Sequence, residues 1–299
     1  MSDFLPGKKR NPGSLRKLIA GRETIIAPGA YDALTARIFE QAGFPAVYMT
    51  GFGATASLLG RPDVGLLTMS QMVDNARRIA QAIDVPLIAD ADTGYGNPLN
   101  VIRTVQEYEL AGVSAIHIED QITPKKCGHM ENKQVVAASE MSEKIHAAIE
   151  ARTSPDFLII ARTDARAVEG LDSALRRARM YREAGADVLF VEAPQSELEV
   201  TRIANELADV PLLFNFAEGG KTPPISLGRI RELGYRIVIF PIGALLAATT
   251  AVRKLAAEIQ VHGTPAELLP ELISFHEFNQ MIGLSEIQQL ERRFSSKPG

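Results

Sequence analysis

Short apolar runs alternate with amphipathic stretches along most of the chain. Eight of these runs are mostly aliphatic or β-branched and continuous rather than alternating, as in strands buried on both faces of a parallel sheet. They cover residues 25–27, 46–49, 87–89, 115–118, 158–161, 188–191, 212–214 and 237–240. The pattern therefore predicts eight buried, parallel strands.

The segments between the runs place apolar residues at three- and four-residue spacing, which predicts amphipathic helices. They cover residues 31–42, 70–82, 98–111, 139–151, 171–184, 196–207 and 226–233, with an eighth over 244–261. Side chains that can cap a helix N-terminus are Ser70, Asn97, Ser139 and Ser226. Glycines that can end a helix in the left-handed conformation are Gly43, Gly112, Gly185 and Gly234.

Eight strands alternating with eight helices predict an α/β protein built as a (β/α)8 TIM barrel, with a doubly wound open sheet as the alternative. The stretches 266–278 and 284–294 are further helical segments. We therefore expect two parts: 1–263, a barrel with an N-terminal extension, and 264–299, a C-terminal helical extension that could be exchanged between subunits.

Composition and charge exclude several classes of protein. The 299 residues include 32 Lys and Arg and 36 Asp and Glu, a net charge of −4, whereas nucleic-acid binding needs a basic face. The only dense basic run is 8–10. The apolar stretch 237–252 is short for a membrane span and is interrupted by Pro241 and Gly243. We expect neither nucleic-acid nor membrane partners.

A single cysteine, Cys127, excludes a disulfide within the chain and a multi-cysteine zinc site. Residues 1–11 contain no apolar core of signal-peptide length. Both observations predict a cytoplasmic protein.

Acidic side chains follow several of the predicted strands. In a parallel barrel the carboxyl ends of the strands form one rim, which carries the active site. The polar residues at these ends are Asp90, Asp92, Glu119, Arg162, Asp164, Glu192 and Asn215. Asp90, Asp92 and Glu119 offer only oxygen ligands, which suit Mg²⁺ or Mn²⁺. The alternatives are an ion-pair network with Arg162 and a lysine, and for Asp164 a helix N-cap.

The longest connection follows the fourth predicted strand and carries Cys127 between two lysines and His129. A long polar loop on the active rim is a candidate lid. Neighbouring cations lower the pKa of a thiol, so we expect Cys127 to be a reactive acid or nucleophile. The glycine pattern at 51–56 resembles a dinucleotide loop, but it follows the second strand and lacks the acidic partner. Its glycines suit backbone contacts with an anion better.

Five motifs together resemble the isocitrate lyase/phosphoenolpyruvate mutase superfamily. They are DADTGYG at 90–96, IEDQ at 118–121, KKCGH at 125–129, IARTD at 160–164 and NFAEGGKTP at 215–223. The resemblance implies a Mg²⁺-dependent barrel that acts on small 2-hydroxy or 2-oxo acids, and a homotetramer that exchanges its C-terminal helices.

The resemblance also implies roles for individual residues. Asp90 would bind the metal directly, and the residues that would hold its water ligands are Asp63, Asp92 and Glu119. The carboxylate of the product keto acid would be held by Thr50, Gly51 and Phe52. Arg162 would pair with a substrate carboxylate, and the pocket would be completed by Gly128, His129, Glu192 and Asn215. Tyr48 would act as the base and Cys127 as the acid.

Within the superfamily, the motifs favour a carbon–carbon lyase acting on a substituted malate. 2-Methylisocitrate lyases tend to carry an arginine where this chain has Leu246, and without it a tricarboxylate would bury an unpaired charge. That activity, a carboxyphosphonoenolpyruvate mutase and a non-catalytic 2-oxo-acid-binding barrel remain as alternatives. Phosphoenolpyruvate rearrangement is disfavoured by the Cys-Gly-His loop.

Overall fold

In the computed structural model, residues 13–295 are described, with side chains from residue 15 onward. The basic run at 8–10 and most of the predicted N-terminal extension lie outside this range. Eight strands are present, in chain order β1 Ile25–Ala30, β2 Val47–Met49, β3 Leu87–Asp90, β4 Ala115–Glu119, β5 Leu158–Thr163, β6 Val188–Val191, β7 Leu213–Asn215 and β8 Ile237–Phe240.

The helices connect and follow these strands. They are α1 Gly13–Ala20, α2 Ala33–Gln41, α3 Gly51–Leu59, α4 Met69–Ala82, α5 Pro98–Leu110, α6 Ala138–Ala151, α7 Ala165–Val168, α8 Leu171–Glu183, α9 Glu197–Glu206, α10 Leu227–Glu232, α11 Gly243–His262, α12 Phe275–Met281 and α13 Leu284–Phe294, with a 3₁₀ helix at Ala266–Glu271 before α12.

The strands form one parallel sheet in the order β6-β5-β4-β3-β2-β1-β8-β7. β1 pairs with both β2 and β8, and a parallel bridge between Leu189 and Leu212 joins the two ends of the order. A sheet whose first and last strands meet in this way is a barrel. The (β/α)8 prediction is confirmed and the open-sheet alternative is excluded.

Two apolar cores stabilise the barrel. One fills its interior with side chains such as Ile88, Ile160 and Ile237, and the other lies between the sheet and the surrounding helices. Leu15 of α1 is fully buried in the interior core. That core also contains the first residues of β1, β5 and β8, so α1 closes the end of the barrel opposite the carboxyl ends of the strands.

The helix ends test the predicted caps. Asn97 and Ser226 cap α5 and α10 as predicted. Ser70 and Ser139 lie inside their helices, so both predicted N-caps are wrong. α4 starts at Met69 with Thr68 as its N-cap, two residues before Ser70, and Thr68 and Gln71 form a reciprocal capping box. α6 starts at Ala138, and its N-cap residue Ala137 makes no side-chain capping hydrogen bond. The four predicted glycines have φ between +84° and +107°, as a left-handed helix end requires.

Helix α3 was not predicted, and it occupies the glycine-rich stretch at 51–56. Thr50 caps it through the backbone N–H of Gly53. Gly51 is required by close packing, because a Cβ there would lie 2.2 Å from Asp90 Oδ2. The glycines of this stretch therefore bring a helix N-terminus against the acidic rim.

The chain divides into two compact units, one of residues 11–244 and a second that contains 245–299. The first holds the barrel strands and all the predicted site residues. In the second, α11 buries none of its side chains, and Lys254 Nζ lies 2.7 Å from Glu271 Oε1. Within the described range, no helix has the length and apolar character needed to cross a membrane.

Candidate active site

A cavity of about 230 Å³ opens at the carboxyl ends of the strands. Its wall includes all five predicted catalytic residues, which are Tyr48, Cys127, His129, Arg162 and Glu192. The other predicted residues in the wall are Thr50, Phe52, Asp63, Asp90, Gly128 and Asn215. Gly51, Asp92 and Glu119 lie behind these residues rather than in the wall. The fold therefore brings together residues that are up to 167 positions apart in the chain, from Tyr48 to Asn215.

Lys125 links two of the predicted metal-site carboxylates. Its buried Nζ lies 2.7 Å from Asp63 Oδ2 and 2.9 Å from Asp92 Oδ1. The ion-pair alternative therefore holds for Asp92 through Lys125 and for Glu119 through Arg162, whose Nε lies 3.3 Å from Glu119 Oε2. Lys125 therefore holds the side chains of Asp63 and Asp92 side by side at the cavity.

Asp90 and Glu119 lie beside a histidine that the sequence analysis did not single out. Ligand atoms of Asp90, His117 and Glu119 lie within 4.8 Å of one another. Burial lowers the pKa of His117 to about 4, so its imidazole is neutral at pH 7. In the sequence, His117 could have been recognised as a polar residue in the middle of the apolar run 115–118.

The balance of charge in this cluster fits a bound divalent cation. Burial raises the pKa of Asp92 to about 6 and raises that of Glu119, while Lys125 and Arg162 respectively act in the opposite direction. The four carboxylates of the predicted metal site face two cations. Lys125 pairs with Asp63 and Asp92, whereas Arg162 pairs with Glu119 and also with two further acids, Asp164 and Glu192. Asp90 lines the cavity, so a cation in it would have a carboxylate within reach.

Arg162 is held by carboxylates on three sides. Its Nε lies 2.9 Å from Asp164 Oδ2 and 3.3 Å from Glu119 Oε2, and its Nη2 lies 3.7 Å from Glu192 Oε1. The guanidinium also stacks on Phe190, 5.1 Å from the ring centroid. These contacts fix the direction in which Arg162 enters the cavity.

Asp164 occupies the N-cap position of α7, but its side chain does not cap the helix as the sequence suggested. The side chain makes no capping hydrogen bond. Instead it accepts from Arg162 and from Lys133, whose Nζ lies 2.6 Å from Asp164 Oδ1. The backbone N–H of Asp164 donates to Asp120 Oδ1 at 2.8 Å. Asp164 is a buried anchor for cations rather than a cap.

The loop between β4 and α6 carries Cys127 into the cavity wall. The Gln121 side chain makes two hydrogen bonds with the backbone of Lys126, the residue before Cys127. It donates to Lys126 O at 2.8 Å and accepts from Lys126 N at 3.0 Å. The backbone N–H of Cys127 donates to Asp63 O at 3.1 Å. The loop is therefore tied to the residues of the acidic cluster.

The pKa of Cys127 is shifted in the direction opposite to our expectation. Burial raises the pKa of the thiol, whereas we expected the neighbouring cations to lower it. Lys125 is paired with carboxylates, and Lys126 Nζ donates to Asn132 O at 3.1 Å. Cys127 is consequently a protonated thiol at neutral pH, as a proton donor needs to be.

Glu192, His129 and Asn215 form one polar group across the cavity. His129 Nε2 lies 3.2 Å from Glu192 Oε1, and Asn215 Nδ2 donates to Glu192 Oε2 at 3.2 Å. Burial opposes ionisation of Glu192, but Arg162 and His129 outweigh it and lower its pKa. Lys221 N donates to His129 Nδ1 at 3.0 Å, which ties the Cys127 loop to the loop after β7.

Tyr48 closes the floor of the cavity. Its hydroxyl lies 2.8 Å from His117 Nε2, and burial raises its pKa well above 10. The phenol is therefore protonated at neutral pH and has a neutral imidazole as its hydrogen-bond partner.

Comparison with known proteins agrees with this arrangement. Residues 15–260 match the family profile described as phosphoenolpyruvate phosphomutase. The chain is 48% identical over 282 residues to 2,3-dimethylmalate lyase of Eubacterium barkeri, covering 94% of this chain and 97% of the relative. It is 44% identical over 283 residues to 2-methylisocitrate lyase of Aeropyrum pernix, covering 95% and 91%.

A solved structure is similar to this chain in both fold and sequence. The complex of phosphonopyruvate hydrolase with oxalate and Mg²⁺ has a TM-score of 0.87 and 34% identity, covering 95% of this chain and 98% of that one. With the fold, the rim of carboxylates and these matches in agreement, the chain belongs to the phosphoenolpyruvate mutase/isocitrate lyase superfamily.

Proposed function

We propose that the protein is a Mg²⁺-dependent carbon–carbon lyase that cleaves a substituted malate of the 2,3-dimethylmalate type. One observation carries this proposal. The same cavity combines a carboxylate cluster, Arg162 and the protonated thiol of Cys127 with an apolar wall of Phe52, Met130, Ala217, Pro241 and Ile242. The apolar wall suits alkyl substituents on a small 2-hydroxy dicarboxylate.

The cations in the cavity support a dicarboxylate over a tricarboxylate. Among the described residues, Lys125 and Arg162 are the only lysine and arginine that line it, and Lys125 is already paired with two carboxylates. A third substrate carboxylate would be desolvated without a partner. 2-Methylisocitrate lyase is the second candidate, since a relative of that name is 44% identical, but Leu246 stands where such enzymes tend to have an arginine.

The metal would be held by Asp90, with Glu119, Asp63 and Asp92 placed to receive hydrogen bonds from its water ligands. Mg²⁺ in such a site supplies a Lewis acid for the oxygen on C2 of the substrate. The complex of the related hydrolase with Mg²⁺ and oxalate supports this choice of ion, and Mn²⁺ prefers the same oxygen ligands.

Substrate binding would rely on Arg162 and on the start of α3. Arg162 offers a fixed guanidinium to one carboxylate. Thr50, Gly51 and Phe52 lie at the N-terminus of α3, where unpaired backbone N–H groups favour an anion. Gly128, His129, Glu192 and Asn215 would then enclose the opposite side of the molecule.

The bond to be broken joins C2 and C3 of the 2-hydroxy acid. The hydroxyl proton on C2 passes to Tyr48, the proposed base, whose own proton moves to His117 Nε2 2.8 Å away. The C2–C3 electron pair moves to the C3 fragment as C2 becomes a ketone. Cys127 then donates its thiol proton to C3, so that 2,3-dimethylmalate yields pyruvate and propionate.

A coupled assay for 2-oxo-acid release tests this proposal. With Mg²⁺ present, 2,3-dimethylmalate and 2-methylisocitrate are offered in parallel, and we expect a higher kcat/KM for the dimethylmalate. A preference for methylisocitrate would instead make the chain a 2-methylisocitrate lyase with an unrecognised cation for the third carboxylate.

The two remaining alternatives give different results in the same assay. A carboxyphosphonoenolpyruvate mutase would leave both hydroxy acids intact and form a carbon–phosphorus bond, which ³¹P NMR detects. A non-catalytic barrel would bind pyruvate with Mg²⁺ but release no product, and its binding would not depend on Cys127.

We also propose that the protein is a cytoplasmic homotetramer in which C-terminal helices are exchanged between subunits. α11 buries none of its side chains, and its apolar residues Val252, Ile259 and Val261 are 63%, 44% and 73% exposed. A helix with this much exposed apolar surface suits an interface.

A further inference from the structure

We propose that Lys133 is a positioning residue that holds the Cys127 loop against the substrate-binding arginine. Lys133 lies at the far end of the same loop as Cys127, between β4 and α6. Its side chain is 1% exposed. A buried ammonium is costly unless it is paired, so its two partners indicate what it is for.

The first partner of Lys133 is the loop itself. Lys133 Nζ donates to the carbonyl oxygen of Gly128, the residue that follows Cys127. Gly128 cannot be replaced without displacing the site, because a Cβ there would lie 2.1 Å from Glu192 Oε1 and 2.4 Å from Arg162 Nη2. The hydrogen bond from Lys133 thus holds the backbone beside Cys127 in direct contact with the substrate-binding side chains.

The second partner is Asp164, at 2.6 Å from Nζ. Asp164 also accepts from Arg162 at 2.9 Å, so one carboxylate carries both the loop lysine and the substrate-binding arginine. Asp164 is fixed in turn by Asp120, which also accepts hydrogen bonds from Thr163 and Tyr181 at 2.7 Å each. Lys133 therefore connects the proton donor to Arg162 through a rigid, buried acid.

The expected consequence rests on the proposed function. Without the ammonium, Gly128 loses its tether and Cys127 samples positions away from C3, while Arg162 keeps its contacts with Asp164 and Glu119. We therefore expect Lys133→Met to lower kcat at least tenfold and to change KM less. A role confined to folding would lower the amount of active protein and leave kcat per active site unchanged.

Alkylation of Cys127 tests the loop without any substrate, because it is the only cysteine in the chain. The rate of alkylation by iodoacetamide is measured from pH 7 to 10, which separates the accessibility of the thiol from its pKa. We expect this rate to rise at least tenfold in Lys133→Met. Propylammonium should restore slow alkylation and part of kcat to Lys133→Ala. The matched control is Lys126→Met, which removes a half-buried lysine of the same loop whose Nζ donates to Asn132 O. This variant should stay within twofold of the unmodified protein.

Unchanged alkylation or unchanged kcat in Lys133→Met would overturn the inference, as would an equal effect of Lys126→Met. Lys133→Gln serves the same tests if the methionine variant does not fold. If the unmodified protein cleaves no 2-hydroxy acid, the proposed function fails, while alkylation still decides whether Lys133 holds the loop.

Discussion

Cys127 shows how the environment of one residue decides its chemistry. Its neighbours in the sequence are cations, yet the fold turns Lys125 towards carboxylates and buries the thiol, which raises its pKa. The residue is therefore suited to donate a proton rather than to attack as a thiolate.

We predict that Cys127→Ser lowers kcat by about 10²- to 10⁴-fold, the usual contribution of a positioned acid. A serine hydroxyl is a far weaker acid but is nearly the same size, so binding of pyruvate with Mg²⁺ should be unchanged. Steady-state kinetics and calorimetry measure the two quantities. Wild-type turnover in this variant would contradict the role of Cys127.

The acidic cluster predicts a pH dependence of metal binding. Burial raises the pKa of Asp92 to about 6 in the metal-free protein, so this carboxyl is largely protonated at pH 5 and ionised at pH 8. A cation favours the ionised form, and Mg²⁺ binding at pH 5 should therefore release a proton and be weaker than at pH 8. Calorimetry in buffers of different ionisation enthalpy measures the protons released.

Asp92→Asn provides the control for this titration. It should remove the proton release at pH 5 while Asp90 is retained as the metal-binding carboxylate. Proton release that persists in Asp92→Asn would assign the titration to another group, and Glu119, whose pKa is also raised by burial, would be the next to test.

At the scale of elements, the barrel depends on where each helix begins. Thr68 accepts from Gln71 N, and the Gln71 side chain accepts from Thr68 N, so two backbone N–H groups of α4 are satisfied at its start. Asp63, one carboxylate of the acidic cluster, precedes α4 by six residues in the chain.

We predict that Thr68→Ala lowers the free energy of unfolding by about 1 kcal/mol, the usual value for an N-cap. Ser70→Ala is the matched control: Ser70 is exposed within α4, and its replacement should change stability by less than about 0.5 kcal/mol. Chemical denaturation of both variants measures the difference. A larger loss in Ser70→Ala would restore Ser70 as the cap.

At the scale of the whole molecule, the exposed apolar residues of α11 predict an assembly. A tetramer of the 32.5-kDa chain would have a mass of about 130 kDa, which sedimentation equilibrium measures. Introducing charges by the pair Val252→Glu and Ile259→Glu should shift the mass towards smaller species, because both side chains are exposed on α11. A monomeric wild-type protein would contradict the helix exchange.

The sequence by itself determined the barrel and the membership of its rim. Period and continuity of the apolar runs identified all eight strands, and parallel strands necessarily bring their carboxyl ends together. The residues at those ends, from Asp90 to Asn215, could therefore be assigned to one site before any contact was known. Helix starts were less predictable, since Thr68 and Ser70 are chemically equivalent caps and only the packed helix selects one.

Tertiary structure alone decided how the residues of the site act on one another. In the sequence, His117 is part of an apolar run, Asp164 is a candidate helix N-cap, and Lys133 has no assigned role. Burial changed all three, because a charge or polar group removed from water must find partners, and those partners come from distant parts of the chain. The direction of the Cys127 pKa shift has the same origin, since burial of the thiol in the folded chain raises its pKa.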